Sequence, residues 1–237
     1  PYRVMAELTG RADGLSNGKG GSMHMFSTEK NFYGGHGIVG ASVPLGAGLA
    51  FAQKYRDSDG VVLAYFCDGA SNQGQVAETF NMARLWSLPV VFIIENNQYA
   101  MGTSVARASA QTEHYLRGAS YDIPGEQVDG MDVLAVKETT EIAVGNIRAG
   151  GGPQFIEAKT FRFVGHSYAD GQKYRGREEV AEWEERDPVV TFPENLIKMG
   201  LASKEQIDRV KAETTAVVEN AVKFAEESPN PDPAEIF

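Results

Sequence analysis

Two apolar runs of strand length, separated by one helix, constrain the fold of this chain more than any other feature. Val61–Phe66 and Val90–Ile94 are continuous and rich in β-branched residues, as in strands that are buried on both faces. A helix is predicted between them over Gln73–Trp86, and Pro89 marks the break before the second run. Because strand, helix and strand follow in that order, the sequence predicts an α/β fold with a mostly parallel sheet flanked by helices.

Further elements are predicted on either side of this unit. Helices are expected over Val39–Tyr55 and Met131–Arg148, and a strand over Phe155–Phe161. One face of the first helix is predicted to hold Ala41, Leu45, Leu49 and Ala52. Near the C-terminus, Ser203 and Gln206 form a capping box that begins a long amphipathic helix. Its apolar side is predicted to hold Ile207, Val210, Val217, Val218, Ala221 and Phe224.

Composition narrows the class of protein. The hydrophobic fraction of 42% and the charged fraction of 23% are ordinary for a packed chain, and no apolar run approaches the ~20 residues of a membrane helix. A net charge of −10 argues against a general nucleic-acid binder, which needs basic surface to meet phosphates. Cys67 is the only cysteine, which excludes an internal disulfide and fits a reducing compartment. Pro1–Leu8 is not a signal peptide.

The residues with the clearest chemistry follow the two predicted strands. Asp68-Gly69-Ala70 comes directly after the first, and Glu95-Asn96-Asn97-Gln98-Tyr99 ends the second. The carboxyl ends of parallel strands meet at one edge of a sheet, so we expect Asp68 and Asn97 to be neighbours. Carboxylate, amide and carbonyl oxygens suit Mg²⁺, which would bridge to a diphosphate. Turn formation and helix capping are the alternative for each motif taken alone.

The same residues support a family resemblance. Asp68-Gly69 and Asn96-Asn97 resemble the thiamine diphosphate motif, written Gly-Asp-Gly, about thirty residues, Asn-Asn. Five flanking segments are similar to the alpha subunit of the 2-oxo-acid dehydrogenases, and most similar to the alpha subunit of pyruvate dehydrogenase complexes. These segments begin at Gly18 (GKGGSMHM), Asn31 (NFYGGHGIVG), Asn72 (NQGQ), Glu95 (ENNQYAMGTS) and Gln127 (QVDGMD). The resemblance runs from about residue 3 to about residue 235 and implies a single thiamine-diphosphate-binding domain over residues 1–237. From about residue 200 that domain would consist of a C-terminal helix and a proline-rich tail.

The resemblance implies roles for the residues that match the motif. Asp68, the side chain of Asn97 and the carbonyl of Tyr99 would ligate Mg²⁺. Gly69 and Ala70 would line the diphosphate of the cofactor.

It also implies three contacts outside the motif. Gly37 and Val39 would contact the aminopyrimidine half of thiamine diphosphate. His166 would lie on a mobile loop near the diphosphate and the substrate, where it would act as a hydrogen-bond donor or a proton relay.

The implied reaction is the oxidative decarboxylation of pyruvate, with transfer of the acetyl group to a lipoyl domain of the acyltransferase component. A beta subunit would supply the glutamate that activates the cofactor, in an assembly of two alpha and two beta chains. No nucleic-acid or membrane partner is expected, and the location would be the bacterial cytoplasm or the mitochondrial matrix. The family also has more chain before the segment that begins here, which carries further contacts.

Several alternatives stay open on the sequence. Branched-chain 2-oxo-acid or acetoin dehydrogenase is one, because Phe161–Asp170 is less typical of the pyruvate enzyme. A non-catalytic scaffold is another, because Cys67 replaces the first glycine of the motif; we expect Cys67 simply to end the strand as a small buried residue. Gly35–Gly40 matches the dinucleotide pattern G-x-G-x-x-G. That pattern should follow a strand, and Ser27–Tyr33 is polar and irregular, so we interpret these glycines as a cofactor loop.

Overall fold

The structure, a computed structural model, describes residues 1–236. The chain divides into two compact units, one formed by Pro1–Ile38 with the chain from Pro193 onwards, the other by Val39–Phe192. The expectation of a single domain over residues 1–237 stays a prediction. Among the helices of the described residues, none combines the length and the apolar character needed to cross a membrane.

The unit of residues 39–192 is built on a four-stranded parallel sheet. Its strands pair in the order β1-β2-β6-β5, and a separate antiparallel hairpin joins β3 to β4. The strands are β1 (Val62–Cys67), β2 (Val90–Asn96), β3 (Tyr99–Ala100), β4 (Thr103–Ser104), β5 (Gly125–Asp129) and β6 (Gln154–Lys159). The fold class predicted from the sequence is confirmed, because β1, a helix and the parallel strand β2 follow one another as expected.

Eight α-helices and four short 3₁₀ helices accompany these strands in residues 1–236. The α-helices are α1 (Tyr2–Leu8), α2 (Ser42–Tyr55), α3 (Gly74–Leu85), α4 (Val105–Ala108), α5 (Val133–Arg148), α6 (Arg177–Glu184), α7 (Pro188–Lys198) and α8 (Lys204–Glu227). The 3₁₀ helices are Thr28–Lys30, Ala70–Asn72, His114–Tyr121 and Pro233–Ile236. The expected helices α2, α3 and α5 are therefore found with no end shifted by more than three residues, whereas the sequence did not predict α1, α6, α7 and β5.

Burial of strand β2 on both faces explains why its sequence is apolar without alternation. Val90, Phe92 and Ile94 belong to one core cluster, together with residues of α2 and α3. Val91 and Ile93 belong to a second cluster on the opposite face, where Ala143 and Ile147 of α5 pack. Because helices cover both faces of the sheet, every side chain from Val90 to Ile94 is buried.

The predicted apolar face of α2 is wrong. The helix buries Val43, Gly46, Ala47 and Ala50, whereas Leu45 is 49% exposed. A Cβ atom on Gly46 would lie only 2.6 Å from the Cβ atom of Ala64 in β1. The helix therefore packs on the sheet through its smallest residues, since these allow the closest approach of the two backbones.

The capping box of α8 is confirmed, and little of the helix is buried. Ser203 accepts from the backbone N–H of Gln206, and the Gln206 side chain accepts from the backbone N–H of Ser203. Only Ala221 and Ala225 are buried in this helix, while Val210 is 58% exposed. Cap formation depends on neighbouring residues alone, whereas burial depends on what packs against the helix, which the sequence of α8 does not encode.

A buried carboxylate organises the glycine-rich loop that follows α1. Glu7 is fully buried, and its carboxylate accepts from the backbone N–H of Ser16 (2.7 Å), Gly18 (2.9 Å) and Gly20 (2.6 Å). Gly18 has φ +73°, a left-handed conformation that favours glycine. Burial by itself raises the pKa of Glu7, but these backbone donors outweigh it and hold the pKa below its ordinary value.

Candidate functional site

Asp68 is the first residue after β1 and lies at the carboxyl edge of the parallel sheet. Its side chain is only 2% exposed, and its Oδ1 atom has no hydrogen-bond partner within residues 1–236. Cys67 is paired with Glu95 of β2, so Asp68 and Asn97 follow the ends of adjacent parallel strands, as predicted. A buried carboxylate oxygen with no partner is costly, and it fits a site whose missing partner is a cation.

The protonation equilibrium of Asp68 reflects this burial. Loss of contact with water raises the pKa of the carboxyl above its ordinary value, and Glu157 adds to the rise. The backbone amides of Asp68 and Asn97, together with the Arg162 cation, act in the opposite direction without cancelling it. The protein itself therefore stabilises the ionised carboxylate incompletely, which fits a group that binds a cation.

The turn after Asp68 is tightly packed. Gly69 has φ −64°, so its backbone needs no left-handed conformation, but a Cβ atom there would lie 2.5 Å from the Cβ atom of Ala100. Gly69 thus allows the hairpin of β3 and β4 to approach the turn. Ala70 is 2% exposed and begins the 3₁₀ helix Ala70–Asn72. This 3₁₀ helix separates Asp68 from α3. Helix α3 begins at Gly74, one residue after the predicted start at Gln73.

Cys67, in place of the motif glycine, ends β1 without strain. It is absent from the residues with positive φ, it is half-buried, and its side chain packs against the core beneath α2 and α3. Its sulfur atom accepts from the backbone N–H of Ala70 at 3.4 Å. The expectation that Cys67 ends the strand is confirmed, although its side chain is half-buried and not fully buried as expected.

The two asparagines at the end of β2 have different surroundings. Asn96 is fully buried and donates from Nδ2 to the carboxylate of Glu157 at 2.6 Å. Asn97 is half-buried, and its Oδ1 atom accepts from the backbone N–H of Tyr99 at 3.1 Å. An amide oxygen has two lone pairs, so Asn97 retains one for a further partner. Asn97, and not Asn96, is therefore the asparagine available to a ligand.

Tyr99 is held through both its backbone and its side chain. Its carbonyl oxygen accepts from Arg162 at 3.1 Å, which leaves one lone pair for another partner. Its hydroxyl donates to the carboxylate of Glu179 in α6, at 2.9 and 3.0 Å from the two oxygens. The preceding residue, Gln98, has φ +73°, which turns the chain sharply between Asn97 and Tyr99. The hairpin that carries Tyr99 is thus fixed by contacts to the later part of its unit.

His166 lies on the polar segment between β6 and α6. The histidine is exposed, and its backbone N–H donates to Asp170 at 2.8 Å. Asp170 also accepts from the hydroxyl of Tyr174 and from the backbone N–H of Gln172, and these bonds lower the pKa of its carboxyl to about 2. The loop around His166 is therefore folded about an ionised aspartate, with the imidazole facing solvent.

The two residues expected to contact the aminopyrimidine are both exposed and fall in different units. Gly37 belongs to the unit of residues 1–38, where a Cβ atom would lie 3.1 Å from the His24 ring. Val39 belongs to the sheet-containing unit, where its carbonyl accepts from the side chain of Gln75 at 3.0 Å. No strand directly precedes this glycine pattern, because Ser27 and Phe32 form only an isolated bridge.

Sequence reasoning missed a set of buried polar residues beneath this edge of the sheet. Ser71, His114 and Glu157 are each less than 10% exposed, and Arg117 is half-buried beside Ser71. Only Ser71 carried a signal, as the residue after Asp68-Gly69-Ala70. The others come from segments distant in sequence, so no local pattern could have identified them. Within residues 1–236, no three His, Cys, Asp or Glu side chains group as a metal cluster.

Comparison with known proteins identifies the family. The family model described as "Dehydrogenase E1 component" matches residues 1–234. The pyruvate dehydrogenase E1 component subunit alpha of Rhizobium meliloti is 57% identical over 99% of this chain and 68% of its own length. The protein of the same name from Zymomonas mobilis is 53% identical over 100% of this chain and 67% of its own length. The somatic mitochondrial form from Bos taurus is 50% identical over 96% of this chain and 58% of its own length.

The chain belongs to the dehydrogenase E1 component family. The resemblance found in the sequence motifs is thereby confirmed. Members of this family use thiamine diphosphate, and the unpartnered carboxylate oxygen of Asp68 fits the metal that accompanies a diphosphate. The relatives are named as alpha subunits of an E1 component, so this chain is expected to assemble with a further subunit.

Proposed function

We propose that this chain is the alpha subunit of a pyruvate dehydrogenase E1 component. Its activity is the thiamine-diphosphate-dependent oxidative decarboxylation of pyruvate with transfer of the acetyl group to a lipoyl domain. One structural observation supports this most: the buried Asp68 carboxylate, without a partner at Oδ1, stands beside Asn97 at the carboxyl edge of a parallel sheet. Relatives of that name are about half identical to this chain in sequence, and they align with it over nearly its whole length.

Three oxygen atoms of this chain would hold Mg²⁺. They are the carboxylate of Asp68, the Oδ1 atom of Asn97 and the carbonyl oxygen of Tyr99. Asn97 and Tyr99 each use one lone pair inside the protein and keep a second for the cation. The oxygen-only set and the single negative charge suit Mg²⁺, which completes its coordination with phosphate oxygens and water.

When bound, thiamine diphosphate supplies the carbon nucleophile and the electron sink for loss of carbon dioxide from a 2-oxo acid. The residues of this chain bind and orient the reactants. Gly69 and Ala70 line the diphosphate, where the lack of a side chain on Gly69 lets the backbone come close. Gly37 and Val39 contact the aminopyrimidine. His166, exposed on its loop, donates a hydrogen bond or passes a proton near the diphosphate and the substrate.

The active site is shared with a beta subunit, which supplies the glutamate that activates the cofactor. Two alpha and two beta chains form the assembly, and the lipoyl domain of the acyltransferase component receives the acetyl group. The exposure of Gly37 and Val39 supports a shared site, since both proposed contacts face solvent in the alpha chain alone. We place the assembly in the bacterial cytoplasm or the mitochondrial matrix, as relatives from both groups suggest.

The other readings have less support. The relatives named above are all pyruvate dehydrogenase subunits, which favours pyruvate over branched-chain 2-oxo acids or acetoin. The scaffold reading depended on Cys67, and the structure accommodates this side chain at the end of β1 without strain.

The test is to co-express this chain with a beta subunit from a related bacterium and to measure decarboxylation of pyruvate and of 3-methyl-2-oxobutanoate, together with cleavage of acetoin. Turnover of pyruvate that requires thiamine diphosphate and Mg²⁺, and that Asp68→Ala abolishes, is the expected result. A folded complex that binds the cofactor but prefers another substrate would reassign the substrate. A folded complex without turnover of any of the three would contradict the proposal.

A further inference from the structure

Ser71 lies where the backbone of the proposed metal-binding turn is fixed. Its hydroxyl Oγ atom donates to the carbonyl oxygen of Asp68 at 2.5 Å, and its backbone N–H reaches the same carbonyl oxygen at 3.2 Å. The side chain is buried, with 7% exposure. The orientation of the Asp68 peptide therefore depends on a residue that makes no contact with the cofactor in any role assigned above.

Two side chains of the 3₁₀ helix His114–Tyr121 hold Ser71 in turn. Arg117 donates from Nη1 to the carbonyl oxygen of Ser71 at 2.8 Å and to its hydroxyl oxygen at 3.0 Å. His114 is fully buried, and its Nδ1 atom lies 3.3 Å from the same hydroxyl oxygen. Three polar groups thus converge on one serine hydroxyl, two of them from a segment more than forty residues further along the chain.

Hydrogen-bond chemistry fixes the direction of each of these contacts. The carbonyl oxygen of Asp68 can only accept and Arg117 can only donate, so the single proton of the Ser71 hydroxyl points to Asp68. The Nδ1 atom of His114 must then carry a proton and donate to Ser71. Burial, assisted by the nearby Arg117, lowers the pKa of His114 to about 4, so the imidazole is neutral near pH 7. The Nε2 atom is then an acceptor, and it has no partner among the described residues.

The same 3₁₀ helix is anchored to the neighbouring strands. The fully buried Glu157 of β6 accepts from the backbone N–H of Tyr115 at 3.0 Å and from the side chain of Asn96, the last residue of β2. The helix therefore contacts the end of β1 through Ser71 and the ends of β2 and β6 through Glu157. Asp68 extends from the end of β1, and Asn97 extends from the end of β2.

A buried histidine with an unmade hydrogen bond at Nε2 is unfavourable for stability, so stability alone does not explain His114. We propose that Ser71, His114 and Arg117 are positioning residues that hold the Asp68 turn in its metal-binding conformation, with His114 acting as a neutral Nδ1 donor to Ser71. This inference rests on the proposed function of Asp68 as a magnesium ligand. None of the three residues touches the metal or the substrate.

The test compares three variants of the full alpha chain in complex with its beta subunit. Ser71→Ala removes the shared hydroxyl, His114→Phe removes the donor, and His114→Asn restores an N–H donor near the position of Nδ1. Thr79→Val is the matched control, because Thr79 is 1% exposed and its hydroxyl bonds only within α3, to the carbonyl of Gln75. Two quantities are measured: the Mg²⁺ concentration for half-maximal activation, and the amide hydrogen exchange of residues 70–73.

For Ser71→Ala and His114→Phe we expect the half-activating Mg²⁺ concentration to rise about tenfold, while kcat stays within about twofold. Amide exchange of residues 70–73 should accelerate by a similar factor. His114→Asn should bring both quantities to within about threefold of the wild type, and Thr79→Val should change neither. If Ser71→Ala leaves both unchanged, or if His114→Asn behaves like His114→Phe, the positioning role is refuted.

The two proposals fail in different ways. A wild-type complex without thiamine diphosphate- and Mg²⁺-dependent turnover would contradict the proposed function, while the exchange measurement would still decide whether Ser71 and His114 hold the turn. An active wild type whose variants match it in both measurements would leave the function intact and overturn the positioning role.

Discussion

The two units of this chain each contain a buried carboxylate, and the two carboxylates are treated in opposite ways. Glu7, fully buried, accepts three backbone N–H donors from the glycine-rich loop, and its pKa is lowered. Asp68 is 2% exposed, has no partner at Oδ1, and has a raised pKa. Burial is nearly the same at both residues, so burial does not distinguish the two carboxylates. They differ in the hydrogen bonds that they accept.

The difference in hydrogen bonding indicates which partner satisfies each carboxylate. Glu7 is satisfied by the chain itself, so it stabilises the loop that it contacts. Asp68 has no partner at Oδ1, so a cation that supplied the missing interaction would favour its ionised form. The predictions below change one side of this comparison at a time.

The largest effect is expected at Asp68. Replacement by Asn keeps the shape of the side chain and removes the charge that would bind Mg²⁺, so pyruvate turnover of the complex should fall at least about 100-fold. The cofactor-free chain should become more stable by about 1 kcal/mol near pH 7, because a buried carboxylate without a partner is removed. Decarboxylation assays and urea unfolding measure the two quantities. A less stable Asp68→Asn chain would contradict the comparison.

Glu7→Gln should have the reverse effect on stability. A glutamine offers one acceptor oxygen, and its amide would face a backbone N–H donor, so the free energy of unfolding should fall by about 3 kcal/mol. Glu29→Gln is the matched control in the same unit, since Glu29 is exposed and the change should be within about 0.5 kcal/mol. If urea unfolding shows equal effects for the two variants, the backbone donors at Glu7 contribute nothing.

The two carboxylates should also respond to pH with opposite signs. The pKa of Glu7 is lowered from 4.5, so its stabilisation is present above that pH and is lost as the pH falls through the folded-state pKa. The pKa of Asp68 is raised from 3.8, so its contribution is fully present below that pH and is lost as the pH rises through the folded-state pKa. Urea unfolding of the wild type, Glu7→Gln and Asp68→Asn from about pH 3.5 to 7 measures both. Parallel curves for the wild type and either variant would refute the corresponding shift.

The smallest effect is expected at Cys67, the departure from the motif beside Asp68. Cys67→Gly removes a half-buried side chain that packs on the core and adds backbone freedom, so stability should fall by about 1–2 kcal/mol. Turnover should stay within about twofold, because the residue ends the strand without strain. Cys67→Ala is the intermediate control. A large gain of activity in Cys67→Gly would show that the cysteine impairs the site.

The sequence predicted the parts of this molecule that depend on neighbouring residues. The strands β1 and β2, the helix between them and the capping box of Ser203 were all found within a few residues of their predicted ends. The approach of Asp68 to Asn97 followed from parallel strand order alone. The roles predicted for the site residues stay predictions.

The remaining features depend on contacts between distant segments. The prediction of the apolar face of α2 was wrong because the close packing of Gly46 on Ala64, and not the spacing of the larger apolar residues, determines which face is buried. His114 and Glu157 join Ser71 in a buried polar set only after the chain has folded, so neither of these two residues carried a local signal. The contrast between Glu7 and Asp68 could not be predicted from the sequence either, because it depends on which hydrogen bonds each carboxylate makes in the folded chain.

The central claim is that the unmade bond at Asp68 is completed by a metal that holds a diphosphate. The most direct measurement is the gain in thermal stability of the alpha–beta complex on adding thiamine diphosphate and Mg²⁺, for the wild type and for Asp68→Asn. At a cofactor concentration about 100 times the dissociation constant, the wild type should gain about 2.7 kcal/mol, and Asp68→Asn should gain almost none. An equal gain in both proteins would contradict the claim and move the metal site away from Asp68.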